Sequence, residues 1–303
     1  MKSDMKKILM FAAAGALAFV PASKIALTFD LEAGKTYKQT VRISNITKQT
    51  AMGREMEFSS ATESATYFKK SEGSSDANTY ELWYGDMTME FTGMGQSNKF
   101  SSTDTSEGLG KFLGKMTNEK FTAVISPRGE IETVSGLEEL VQRVADESEG
   151  DSRQVAQQMS ESMGDLGLKR NLEFSLGIFP EGKVKPGDSW KRQHYTSTGM
   201  PIKVETTYTL KELSGDRAVI ELDGIFSTDE ENAEGELQGM DATFFFDGTR
   251  SGSMTVEAKT GWVISGKFED DIAGSVTVEP NEMVPDGMTV PMELINETVI
   301  TGE

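Results

Sequence analysis

Ser135-Gly136-Leu137-Glu138-Glu139-Leu140-Val141-Gln142-Arg143-Val144-Ala145-Asp146 is the stretch where the hydrophobic period of the chain changes, and the change decides the fold class. Leu137, Leu140, Val141 and Val144 recur at i, i+3, i+4 and i+7, the spacing of one helix face. Ser135 with Glu138 reads as a capping box in front of them, so a helix is expected from about Gly136 to Asp146. Two more helices are expected, over Ser152 to Met163 and Leu166 to Leu176; Gly177 and Pro180 end the last.

On both sides of this centre the period is two. Ile25, Leu27, Phe29 and Leu31 alternate as the buried face of a strand does. Strands follow at roughly Tyr37 to Ile46, Met52 to Ser60, Ala65 to Lys70, Thr79 to Tyr84, Met87 to Phe91 and Phe121 to Ser126. Leu109, Phe112, Leu113 and Met116 interrupt them with one short amphipathic helix. Polar Lys70 to Asp76 is the clearest loop.

After Val184 strands return, at about Ser189 to Ser197, Ile202 to Leu213, Arg217 to Ile225, Met240 to Phe246, Ser251 to Ala258, Trp262 to Glu269, Gly274 to Val278 and Met292 to Ile300. The expected fold is strand-dominated α+β: one or more curved antiparallel sheets, or a half-barrel, flanking a central segment of about three helices. Residues 23–303 then form a single β-rich domain, with strand-rich halves at about 24–133 and 184–303 around a helical segment at about 135–178.

The first 22 residues read as an export signal. Lys2, Lys6 and Lys7 precede the apolar run Ile8 to Val20, and Val20-Pro21-Ala22 offers small or compact residues to signal peptidase. Thirteen residues of helix rise only about 20 Å, short of a hydrocarbon core of about 30 Å. With no cysteine in the chain there is neither a lipid attachment site nor a disulfide. The mature protein is expected to be exported, periplasmic or extracellular, and not lipid-anchored.

A net charge of -19 repels phosphate backbones and anionic headgroups, which excludes nucleic acid as a natural partner. No catalytic signature emerges. His194 is the one histidine, so paired-histidine zinc motifs are ruled out. Gly95-Gln96-Ser97-Asn98-Lys99 lacks the second glycine of a nucleophile elbow. Gly108 to Lys115 fails the spacing of a phosphate loop, and Met116 stands where that loop needs Ser or Thr. The acidic run Asp229 to Glu236 reads as a solvated hairpin tip and not a calcium loop. No enzyme activity, metal or cofactor is expected.

Methionine is the unusual component. Met52, Met56, Met87, Met89 and Met94 cluster in the first half, and core packing, the wall of an apolar cavity and a copper(I) site are the three readings open to them. Phe244-Phe245-Phe246 points to both faces of its strand, so both faces are expected to need cover. A curved sheet that wraps its helices incompletely leaves a greasy cavity, for which Met56, Met87, Met89, Phe91, Leu172 and Phe245 are the expected wall residues.

Two phrases recur in the halves: Gly34-Lys35-Thr36-Tyr37-Lys38 beside Gly187-Asp188-Ser189-Trp190-Lys191, and Gly129-Glu130-Ile131 beside Gly261-Trp262-Val263. Either an internal duplication or ordinary glycine punctuation of a β protein accounts for them. Together with Met52-Gly53-Arg54-Glu55-Met56 and Phe179-Pro180, these phrases in this order resemble a family of exported bacterial envelope proteins described only as a domain of unknown function, many of them lipoproteins. The resemblance implies an envelope setting and supplies no activity or catalytic residue. The expected role is non-catalytic binding of a lipid or other apolar or amphipathic molecule. The alternative is a structural module that docks an envelope protein partner and holds no small molecule.

Overall fold

The computed structural model describes residues 23–51, 53–71, 78–104, 108–147, 165–195, 200–237, 239–282 and 284–303. The segment read as an export signal, most of the Lys70 to Asp76 loop and the helix expected over Ser152 to Met163 lie outside them. Among the described residues, thirteen strands form a single sheet: β1 Thr36–Ala51, β2 Arg54–Lys70, β3 Thr79–Gly93, β4 Gln96–Ser101, β5 Lys120–Ile125, β6 Ile131–Ser135, β7 Ser189–Tyr195, β8 Ile202–Ser214, β9 Arg217–Thr228, β10 Glu234–Leu237, β11 Met240–Glu257, β12 Val263–Val278 and β13 Met288–Gly302. Among the described residues three α-helices accompany it: α1 Gly108–Met116, α2 Leu137–Asp146 and α3 Asp165–Leu176.

The sheet order is β6-β5-β3-β2-β1-β13-β12-β11-β9-β8-β7, with β4 added to β3 and β10 to β11. Every named strand pair is antiparallel. Each half is a meander, and β1 and β13 join the halves edge to edge. The repeated phrases occupy matching places: Gly34 (φ 78°) and Gly187 (φ 93°) turn the chain into β1 and β7, while Gly129 (φ 78°) and Gly261 (φ 71°) turn it into β6 and β12. Left-handed backbone of this kind favours glycine, which explains why the phrases share it.

Several strands are longer than the sequence suggests. The segments expected at Met240 to Phe246 and Ser251 to Ala258 run on as β11, and those at Trp262 to Glu269 and Gly274 to Val278 as β12. Glycines and polar residues look like breaks, but ladder hydrogen bonds belong to the backbone and continue through them. Leu27, Phe29 and Leu31 depart the other way. They are buried, yet their segment makes only an isolated bridge, Ile25 to Val184. Its other partners are turns: the Phe29 amide donates to the Pro127 carbonyl and the Asp30 amide to that of Thr260, both at 2.8 Å.

The expected capping box does not form. Ser135 is paired with Thr122 as the last residue of β6, and Gly136 caps α2 at φ 89° with no side-chain bond. The phenylalanine triplet divides, with Phe244 and Phe246 buried inside and Phe245 63% exposed on the other face, which is left uncovered there. The acidic run forms a short 3-10 turn, Glu230–Asn232, followed by β10.

The helices pack on the face that carries the alternating apolar residues. α1 buries Leu109, Phe112, Leu113 and Met116, and α2 buries Leu137, Leu140, Val141 and Val144. Each fully buried Leu or Phe contributes about 1.5–3 kcal/mol. α3 has a different position, in contact with both β6 and β7, the two edges of the sheet. Glu173 Oε1 accepts the Ile131 amide of β6 at 3.1 Å, and Arg192 of β7 donates to the Gly177 carbonyl (3.0 Å) and to Glu130 (2.8 Å). Trp190 Nε1 donates to the Ile178 carbonyl at 2.6 Å. The open sheet therefore curls until its edges meet across the end of one helix.

Candidate functional site

Cross-strand register builds the interior row by row, because residues directly opposite one another share a face. One row crosses seven strands: Arg192 (β7), Thr206 (β8), Gly224 (β9), Arg250 (β11), Asp270 (β12), Asn296 (β13) and Asn45 (β1). It is a polar belt across an otherwise apolar floor. On one side lie Ile202, Val204, Phe226, Phe246, Ile272 and Leu294; on the other lies the main core, with Tyr208, Leu222, Met254, Phe268 and Ile300.

The two charges at the centre of the belt satisfy each other. Arg250 holds Asp270 through two bonds, Nε to Oδ1 at 2.7 Å and Nη2 to Oδ2 at 2.9 Å, and both side chains are buried. Its guanidinium lies 3.7 Å from the ring centre of Phe174 on α3, with Phe268 and Phe226 at 4.9 and 5.2 Å. A planar cation that is weakly hydrated suits such an aromatic box. Gly224 leaves room for it: a β-carbon there would stand 3.1 Å from the Arg250 Cβ. Asn45 Nδ2 donates to Asn296 Oδ1, and Thr47 to Asn45 Oδ1 at 2.9 Å.

Between α3 and this floor is a cavity of about 350 Å³. Its helical wall is Leu168, Leu172 and Phe174; facing them are Val41, Ile43, Met87, Met89, Phe226, Phe268, Ile272, Leu294 and Ile300. A second, polar stripe comes from β2, where Thr62, Ser64 and Thr66 point inward in succession, beside Gln39 of β1. Burial falls along β1 from Gln39, 2% exposed, to Ile43, 40% exposed, so the cavity is closed at Gln39 and opens past Ile43.

Of the six expected wall residues, Met87, Met89 and Leu172 lie in this cavity. Met56 lies elsewhere, half-buried in a separate depression with Lys48, Glu55 and Met292. Phe91 is 44% exposed on the β3–β4 hairpin, its ring 6.5 Å from that of Phe100. Phe245 is on the outer face. Large apolar side chains alone do not point to Gln39, the β2 hydroxyls or the Arg250–Asp270 pair. Signals for them exist: Ser60-x-Thr62-x-Ser64-x-Thr66 alternates at period two, and Arg250 is a strand arginine flanked by Gly248 and Gly252.

His194 is buried beside this region, its ring 6.5 Å from Phe174. Burial, with the nearby Arg250 charge, lowers its pKa to about 4. Glu173 is shifted up by burial, opposed by the Ile131 amide it accepts. Tyr84 lines the cavity, and burial also pushes up the pKa of its hydroxyl. No cluster of three metal-binding side chains occurs among the described residues.

The fold and cavity define a class: a strand-dominated protein whose curled antiparallel sheet holds helices and an internal slot against one face. The chain belongs to the Family of unknown function (DUF6263), whose model matches residues 76–263. No curated protein matches it. Among solved structures it is similar to lipovitellin, in a structure titled for lipid–protein interactions, at 12% identity and a TM-score of 0.47, over 90% of this chain and 25% of that one. The chain thus spans a quarter of that protein's chain. OprB of Pseudomonas putida at low pH (5% identity, 88% and 92% of the two chains) and an outer membrane channel of Pseudomonas putida F1 (9%, 91% and 98%) each score 0.24. Scores of this size carry no functional argument.

Proposed function

We propose that this protein binds an apolar or amphipathic molecule, without catalysis, in the cavity between α3 and the sheet, and that it does so as an exported envelope protein without a lipid anchor. One observation carries the binding reading: the cavity of about 350 Å³, within the usual ligand-site range of about 300–1,000 Å³, has apolar walls and a few convergent polar groups. The non-catalytic reading is supported by the belt, where the buried arginine and aspartate are spent on each other. Native mass spectrometry of protein released gently from the export compartment tests it. The expected result is an added mass that organic extraction removes. Protein that arrives empty and takes up no added amphiphile would overturn the reading.

A further inference from the structure

The polar groups of the cavity specify more than greasiness. Gln39, Thr66 and Tyr84 share one cross-strand row at the closed end. All three are buried and line the cavity, and none carries a charge at neutral pH. Gln39 Nε2 has no hydrogen-bond partner among the described residues although the side chain is 2% exposed. A buried amide donor is costly to leave unpaired, and this one lines the cavity, where an acceptor that enters can take it.

Among the described residues, the charged ones lining the cavity are Arg170 and Asp270. Asp270 is committed to Arg250, and Arg170 also lines the neighbouring groove with Ile202 and Phe244, across the belt from Gln39. A carboxylate pushed to the closed end would meet no cation there and would lose its water. From Gln39 to Asn45 the cavity follows six residues of β1, roughly 20 Å at strand rise. That length, with a volume of about 350 Å³, describes a slot of chain-like width.

Resting on the binding reading above, we infer that the ligand is an uncharged, single-chain amphiphile whose oxygen acceptor enters first and takes the Gln39 amide, with its chain running back toward Ile43. The site selects against the corresponding anion.

The test uses the full chain with radiolabelled hexadecanol and hexadecanoate, each presented from cyclodextrin at neutral pH and measured by equilibrium partition. Hexadecanol is expected to bind at least tenfold more tightly. Gln39→Met, which keeps length and removes the amide, is expected to lower hexadecanol affinity about tenfold and to leave hexadecanoate unchanged. It should fold, since it deletes an unpaired polar group. Thr66→Val, in the same row, is expected to act in the same direction and serves as the second variant. Hexadecanoate binding as tightly as hexadecanol, or a folded Gln39→Met protein with unaltered hexadecanol affinity, would overturn the ligand class while leaving the binding reading standing. Failure of both compounds to bind would remove the binding reading itself.

Discussion

Arg250 and Asp270 face each other directly across β11 and β12, joined by two parallel hydrogen bonds and sealed from solvent by Phe174, Phe226 and Phe268. A pair in this position costs several kcal/mol of desolvation per ion, offset by its mutual attraction and by the aromatic rings around the guanidinium. Its worth lies in what happens when one member is removed.

Asp270→Asn is therefore expected to cost about 3–5 kcal/mol, because it strands a buried guanidinium. Arg250→Met combined with Asp270→Leu should cost clearly less than either single change. Urea unfolding of wild type, Arg250→Met, Asp270→Leu and the double variant closes the cycle. Additive losses would mean that the two side chains do not act as a pair.

Two glycines with left-handed backbone separate conformational from steric cost. Gly53 (φ 71°) has open space where a β-carbon would go, and Gly53→Ala should lose about 1–2 kcal/mol from backbone strain alone. At Gly129 (φ 78°) the β-carbon would lie 1.7 Å from the Leu176 carbonyl oxygen, at the end of α3. Gly129→Ala must displace that helix end, and a loss of at least about 3 kcal/mol is expected, with weaker ligand binding if α3 walls the site. Equal thermal shifts for the two variants would contradict this contrast.

Much of this architecture is legible in sequence, and the missing parts have a common cause. Alternation in β8 and β9 and the i, i+3, i+4 spacing of Leu137, Leu140 and Val141 report burial directly, so the strand, helix, strand order follows from them. Strand continuity through Gly248 does not, since side chains say little about ladders that pair backbone with backbone. The cavity was visible only through Met87, Met89 and Leu172. Gln39 and Asp270 acquire their roles from partners one or more strands away, and one sequence does not give cross-strand register.

His194 predicts an acid-sensitive stability. Its pKa falls from an ordinary 6.5 to about 4 on folding, because burial and Arg250 both disfavour the imidazolium. Between those values the unfolded chain binds more protons than the native one. The His194 contribution is thus full above about pH 6.5 and is lost as pH falls toward 4, with a total of order 3 kcal/mol. Glu173 works the other way: its raised pKa favours the folded state at low pH, and that benefit is lost as pH rises through the shifted value. Comparing urea midpoints of wild type and His194→Gln across this window isolates the histidine. Parallel curves for the two proteins would refute the assignment.

The seam between the sheet edges yields the last prediction. Arg192, buried on β7, holds the Gly177 carbonyl after α3 and the Glu130 carboxylate just before β6, so one side chain ties both edges and the helix end together. Lysine cannot reproduce this, because a single ammonium lacks the fork that reaches two acceptors in different directions. Arg192→Lys should cost about 1.5–3 kcal/mol, the range for a hydrogen bond to a charged group. The loss should be local. Amide hydrogen exchange is expected to accelerate in β6, β7 and the last turn of α3, while β1, β12 and β13, on the far side of the sheet, keep their protection. Because α3 is also the roof of the cavity, ligand release should quicken in the same variant. Exchange that rises evenly through all strands would show instead that Arg192 supports the whole sheet and that the seam is not a separate element.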